Sequence, residues 1–240
     1  MSGHSKWATI KRAKGKADAA RGKLFNRFIR EITIAARMGG GDPTSNPRLR
    51  TAISAARGAN MPNKNIESAI QKGTGQLDGV NYEEITFEGY GPGGVAILIE
   101  VVTDNRNRIV AEVRHLLTKY GGNLGQTNCV ARMFNTKGII TVPKDAMGED
   151  EIMELVLEAG ADDMSSEGEE YEITTTVDTF DAVREALVNA KLEPSSAEIT
   201  KVVDNPIMLT EDSGSKVMKL VDALDDLDDT QHVYAGFDLS

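Results

Sequence analysis

The sequence predicts an α+β protein: an N-terminal helical bundle followed by two α/β sandwich-like domains, at least one of them ferredoxin-like (βαββαβ). Three observations predict it. Apolar residues recur at helical spacing as far as Gly73, and glycines close each run. Beyond Gly79 the pattern turns β-rich, with glycine-marked turns between short apolar runs. Residues 138–203 then read strand, helix, two strands, helix, strand, the order of a split βαβ unit. The chain has 240 residues, 40% of them apolar, which is enough for packed cores.

Residues 2–20 carry no clean periodicity, so an extended or partly ordered arm is expected there. From Arg21 to Met38, Leu24, Phe25, Phe28, Ile29, Ile32 and Ala36 line one helical face with Arg and Lys opposite. Gly39-Gly40-Gly41 ends that helix. Asn46-Pro47 supplies an N-cap and a first-turn proline for a second helix, with Leu49, Ile53 and Ala56 inward. Pro62 opens a third, holding Ile66, Ala69 and Ile70 inside. Glu84–Tyr90 and Val95–Thr103 read as a hairpin around Gly91-Pro92-Gly93-Gly94. Asn105–Tyr120 reads as a helix and Val130–Phe134 as a short strand.

The βαββαβ unit comprises Gly138–Val142, Glu149–Ala159, strands near Asp162–Ser166 and Tyr171–Thr176, Phe180–Lys191 and Ala197–Val203. An acidic amphipathic helix over residues 213–228 and a last strand, His232–Leu239, are too few elements to fold alone. They are expected to complete the open unit before the insertion. The expected domains are therefore 1–78 (basic helical domain with N-terminal arm), 79–135 plus 205–240 (α+β domain) and 136–204 (inserted acidic ferredoxin-like domain).

With 27 Lys+Arg against 37 Asp+Glu, the formal charge of −10 taken as a whole argues against a polyanion partner. Its distribution argues the reverse. Residues 1–72 carry 15 basic and four acidic side chains, a net of +11. Residues 73–135 come to −2, and residues 136–240 to −19. Such asymmetry points to a nucleic-acid-binding arm on acidic domains. One cysteine rules out a disulfide framework and a Cys-rich zinc site, and His4, His115 and His232 are too scattered for a His-based one. No apolar run reaches the ~18–20 residues of a membrane helix, and Met1–Arg21 lacks the apolar core of a secretion signal. A cytoplasmic protein without membrane, metal, cofactor or small-molecule substrate is expected.

The candidate nucleic-acid contacts begin with Lys6, Lys11, Arg12, Lys14, Lys16, Arg21, Lys23, Arg27 and Arg30, opposed within that stretch only by Asp18. Phosphate backbones reward such density through counterion release. Trp7, the one tryptophan, either stacks on an unpaired base or packs against the bundle. A second candidate is Thr103-Asp104-Asn105-Arg106-Asn107-Arg108, where a strand meets a helix. Arg106 and Arg108 in a first turn oppose the helix dipole, and either a phosphate or nearby acids such as Glu100 or Asp104 would compensate. Asp222, Asp225, Asp226, Asp228 and Asp229 read as a wet helix face, with Mg²⁺ binding or shielding of the arm as alternatives. Cys129 reads as a buried structural thiol. No carboxylate pair is singled out by spacing.

Several motifs, taken together, resemble the YebC family. They are Gly3-His4-Ser5-Lys6-Trp7-Ala8-Thr9-Ile10-Lys11, Arg21-Gly22-Lys23-Leu24-Phe25 and Ile29-Arg30-Glu31-Ile32. Asn60-Met61-Pro62 with Asn65-Ile66-Glu67, Glu88 to Gly94, Thr103 to Arg108 and Val233-Tyr234 with Phe237-Asp238 complete the match over nearly the whole chain. Asn63-Lys64 departs from it, standing where an acid-containing pair often follows the proline. The resemblance implies a three-domain, non-enzymatic cytoplasmic protein, long labelled a probable DNA-binding transcriptional regulator. It also implies kinship with a mitochondrial translational activator of a cytochrome oxidase subunit, and with bacterial relatives that relieve ribosome stalling at proline-rich stretches.

The expected function is thus non-enzymatic regulation of gene expression through nucleic acid, either DNA or ribosomal RNA, with the ribosome as partner in the second case. No clear helix-turn-helix signal is present, and a basic arm with one stacking residue suits structured RNA at least as well as DNA. The rivals are a metal-dependent nuclease using the acidic half and a pure protein-interaction scaffold.

Overall fold

The computed structural model describes residues 19–166 and 168–239, which form two compact units. One unit comprises residues 19–127 with 216–233, and the other residues 128–215 with 234–239. In chain order come helices α1 (Ala19–Gly39), α2 (Pro47–Gly58) and α3 (Asn63–Gly73), then β1 (Glu83–Tyr90), β2 (Ala96–Thr103), α4 (Arg106–Lys119) and β3 (Asn123–Leu124). There follow β4 (Phe134–Pro143), α5 (Glu149–Glu158), β5 (Asp163–Ser165), β6 (Glu170–Thr175), α6 (Phe180–Asn189) and β7 (Ser196–Val203). The chain closes with β8 (Ile207–Leu209), α7 (Glu211–Asp225), β9 (Thr230–Ala235) and β10 (Phe237–Leu239). It is a mixed helix-and-sheet fold with a helical N-terminal region, as the periodicity implied.

Helices α1 to α3 bury Ile32, Ala36, Leu49, Ile53, Ala56, Ile66 and Ala69 in one core, with Phe25, Phe28 and Ile29 against it. A single buried side chain, Asn46, ties two helix ends together. Its oxygen accepts the Leu49 N–H at 3.1 Å and so caps α2. Its amide donates to the carbonyls of Ala35 and Gly40, both at 2.8 Å, at the end of α1. Helix α3 meets α1 at Gly73, where a Cβ would stand 2.4 Å from the Thr33 carbonyl oxygen and 2.8 Å from the Ala36 Cβ. Only glycine permits that approach.

The first unit's sheet runs β3-β1-β2-β9. Strands β1 and β2 are antiparallel, with Glu83 opposite Thr103 and Tyr90 opposite Ala96. β2 is buried on both faces except at Glu100, which explains its unbroken apolar run. Ile109, Val113 and Leu117 of α4 and Val217, Leu220, Val221 and Leu224 of α7 are fully buried.

In the second unit the sheet order is β5-β6-β4-β7, every neighbouring pair antiparallel. That is the arrangement of a ferredoxin-like βαββαβ unit, with Ile140, Ile173, Ile152, Val156, Val183 and Leu187 sharing its core. β8 and β10 form a separate parallel pair.

Two of the expected strands differ in the structure. Val130–Phe134 is not a strand: Ala131–Met133 is a 3₁₀ turn, and one continuous strand runs from Phe134 to Pro143. Pairing with β7 from Phe134 to Thr141 holds the polar Asn135-Thr136-Lys137 segment extended. Gly138 within that strand serves packing, since a Cβ there would lie 2.4 Å from the Phe180 ring. The expected strand His232–Leu239 divides at Gly236, whose carbonyl accepts the Ile207 N–H at 3.1 Å and starts the β8–β10 pair. Cys129 is half-buried rather than buried, in the turn before that 3₁₀ segment.

Candidate nucleic-acid interface

Lys6, Trp7, Lys11, Arg12, Lys14 and Lys16 lie outside the described residues, as does the side chain of Arg21. The other five candidates are placed, and four of them share one acidic segment. Lys23, Arg27 and Arg30 stand at i, i+4 and i+7 on α1, a spacing that puts them on one helix face. Lys23 Nζ is 3.0 Å from Asp226 Oδ1. The Arg27 guanidinium is 3.2 Å from the Asp225 carboxylate and donates to the Asp225 carbonyl. Arg30 is 2.9 Å from Asp229 Oδ1, donates to the Asp228 carbonyl, and lies 5.8 Å above the Tyr82 ring. Asp225, Asp226 and Asp229 are thus counterions to α1 rather than part of a merely solvated face.

Asp229 is the centre of this cluster, with only 2% of its side chain exposed. Its Oδ2 accepts from the Thr103 hydroxyl at 2.7 Å and from the Arg108 guanidinium at 2.7 Å. Its carbonyl accepts the Val102 N–H at 2.8 Å, which fixes the segment to the end of β2. Burying a carboxylate demands such partners, because an unpaired one would cost several kcal/mol on the order-of-magnitude scale for buried ions.

The two first-turn arginines of α4 differ. Asn105 caps the helix by accepting the Arg108 N–H at 3.1 Å. Arg108 then bonds both Asp229 and Asp104, each at 2.7 Å. Those bonds raise the Arg108 guanidinium above its ordinary range, and the Arg108 bond holds the Asp104 carboxyl below its own. Among the described residues Arg106 pairs only with Glu83, at 3.5 Å, and it is 63% exposed.

Elsewhere in the bundle, Arg48 grips Glu31 through a two-pronged contact at 2.7 and 2.9 Å and also bonds Glu84. Arg50 and Arg57 face a groove of about 620 Å³ lined by Pro43, Thr44, Arg50, Ile53, Ser54 and Arg57. Among the described residues no cluster of three or more His, Cys, Asp or Glu is placed to hold a metal ion, and no helix is long and apolar enough to cross a membrane.

A family profile described as the TACO1/YebC protein N-terminal domain matches residues 5–76, and one for the TACO1/YebC second and third domain matches residues 82–237. The chain belongs to the TACO1/YebC family. A relative from Acidobacterium capsulatum is 56% identical over 239 residues, covering 100% of this chain and 97% of the relative. One from Desulfatibacillum aliphaticivorans is 54% identical with the same coverage. Both are named probable transcriptional regulatory protein. The crystal structure of a conserved hypothetical protein from Aquifex aeolicus matches with a TM-score of 0.82, 47% identity and 98% coverage of both chains.

Two features of this TACO1/YebC chain escaped the sequence reading. The hub at Asp229 had no local signal, because Arg108 lies 121 positions away. Arg50 and Arg57 did carry one: they stand seven residues apart on α2, which contains three arginines and no acid.

Proposed function

We propose that this TACO1/YebC protein is a non-enzymatic, nucleic-acid-binding regulator of gene expression. The observation that carries the reading is the +11 charge of residues 1–72 in a chain that is otherwise acidic. The name shared by its relatives supports a regulatory role. The first contact falls to Lys6, Lys11, Arg12, Lys14, Lys16 and Arg21, with Trp7 available for stacking and the exposed Arg106 as a second anchor. Lys23, Arg27 and Arg30 enter later, because a phosphate must displace Asp225, Asp226 and Asp229 to reach them. Three acids of the half that a metal-dependent nuclease would draw on, Asp225, Asp226 and Asp229, face those cations. The target is DNA or ribosomal RNA, the latter with the ribosome as partner, in the cytoplasm.

If about six cations engage a single strand, the log–log slope of affinity against salt is about −4. Charge reversal by K11E, R12E and K14E flattens it and weakens binding to every sequence. Salt-independent association, or full binding after deletion of the arm, sinks the reading in favour of a protein scaffold. Mg²⁺-dependent turnover sinks it in favour of a nuclease. Crosslinking in cells with sequencing of the attached nucleic acid separates promoter DNA from ribosomal RNA.

A further inference from the structure

We propose that the groove along α2 binds an unpaired RNA strand, with Arg50 and Arg57 taking phosphates on either side of a splayed nucleotide and Ser54 meeting the ribose. The inference rests on the nucleic-acid reading above and adds a site to it.

The first support is the state of the cations. Lys23, Arg27, Arg30, Arg48 and Arg108 are all paired with carboxylates. Arg37 spends its guanidinium on the carbonyls of Tyr82 and Val80. Arg50 and Arg57 form no ion pair among the described residues, and no acid lines the groove between them. Asp42, the acid nearest in sequence, is taken up by Thr44, which donates its N–H at 2.9 Å and its hydroxyl at 2.8 Å.

The second support is preorganisation. Arg50 Nη1 donates to the Pro43 and Thr44 carbonyls at 3.0 and 3.3 Å, which pins the guanidinium to the groove wall. A guanidinium carries five N–H donors, so the rest of the fork is left for a phosphate. Two helical turns separate Arg50 from Arg57, about 10.5 Å along the axis at 1.5 Å per residue. One strand can therefore be held at two points.

The third support is the lining between the arginines. Half-buried Pro43, with Ile53 beneath the groove floor, gives an apolar wall for a base or sugar, and the exposed Ser54 on the same lining carries a hydroxyl that can meet a ribose 2′-hydroxyl. A volume of about 620 Å³ lies within the roughly 300–1,000 Å³ typical of small-ligand pockets. A base-paired duplex keeps its bases stacked inside and offers nothing to an apolar concavity, so an unpaired strand fits and a duplex does not.

The test uses the full chain and a fluorescent single-stranded RNA of about 12 nucleotides, within the usual site-size range. The same sequence as single-stranded DNA, duplex DNA and polyglutamate serve as further probes. The R50A/R57A variant is expected to make the log–log salt slope shallower by about 1.4, or 0.7 per phosphate lost. R50K/R57K is expected to keep the slope. S54A is expected to weaken RNA by roughly two- to tenfold, the worth of one hydrogen bond, and to leave DNA of the same sequence unchanged. An unchanged slope in R50A/R57A, with the wild type still binding, overturns this site alone. Failure of the wild type to bind any nucleic acid overturns the underlying reading as well. Polyglutamate competing as well as RNA, with the loss again confined to R50A/R57A, overturns it in favour of an acidic peptide.

Discussion

The carboxylate of Asp229 accepts a hydrogen bond from the Arg108 guanidinium at 2.7 Å, and its other oxygen lies 2.9 Å from Arg30. One buried acid thereby joins the basic helix α1, the first turn of α4 and the end of β2. Asp229→Ala leaves Arg30 without its carboxylate, Arg108 with Asp104 alone, and the Thr103 hydroxyl without its acceptor. The usual 3–5 kcal/mol for breaking a buried pair must be discounted, because Arg108 is 43% exposed; we expect a loss of about 2–3 kcal/mol. Calorimetry together with hydrogen exchange in α1 and β2 reads it. Arg108→Ala costs under about 1 kcal/mol by the same reasoning.

Neutralising the counterions acts in the opposite sense on binding. In Asp225→Asn/Asp226→Asn, Lys23 and Arg27 lose their carboxylate partners. Nucleic-acid affinity should rise, and the log–log salt slope should steepen by up to about 1.4 for a single strand. An affinity equal to that of the wild type would show that these cations never reach phosphate.

Two glycines separate close packing from helix propensity. Gly73→Ala drives a Cβ against the Thr33 carbonyl and Ala36. Overpacking of that kind destabilises by about 1–3 kcal/mol. Gly58→Ala, with nothing within 4 Å of the new atom, stabilises by about 0.4–1 kcal/mol through the unfolded chain. Thermal unfolding of the two variants should move in opposite directions.

The Asp104–Arg108 pair gives stability a signed dependence on pH. Because the Arg108 hydrogen bond depresses the Asp104 carboxyl in the folded chain, its contribution is fully present above the ordinary carboxylate value of 3.8. That contribution disappears as the pH falls through the lower folded value. The stability gap between wild type and Asp104→Asn should stay constant from pH 7 to about 5 and close as the pH falls below the ordinary carboxylate value and through the lower folded one. A gap that persists at the acid end contradicts the pairing.

Local chemistry made most of the helical region legible. Asn46-Pro47 marks the start of α2, and Gly40, at φ 86°, the end of α1, through capping that needs only neighbours in sequence, while Gly58 and Gly73 are the last helical residues of α2 and α3. The βαββαβ order was legible for the same reason, since each element carries its own period. What stayed hidden depends on distant partners. The polar Asn135-Thr136-Lys137 segment belongs to β4 only because β7 pairs with it. The i, i+4, i+7 spacing of Lys23, Arg27 and Arg30 was plain, but their acids come from about 200 positions away, as with Arg27 and Asp225. Arg50 and Arg57 were visible on an acid-free helix and were overshadowed by the denser arm.

The sheet order β3-β1-β2-β9 has a consequence for biogenesis. Strand β2 leaves the ribosome early, yet the strand that covers its edge is among the last segments translated. The strands of the β5-β6-β4-β7 sheet lie in one uninterrupted stretch and can pair as soon as β7 emerges. On the nascent chain, the bundle and the β5-β6-β4-β7 sheet therefore mature first. The apolar β2 edge stays open as a site for chaperones, or for mispairing, until β9 arrives.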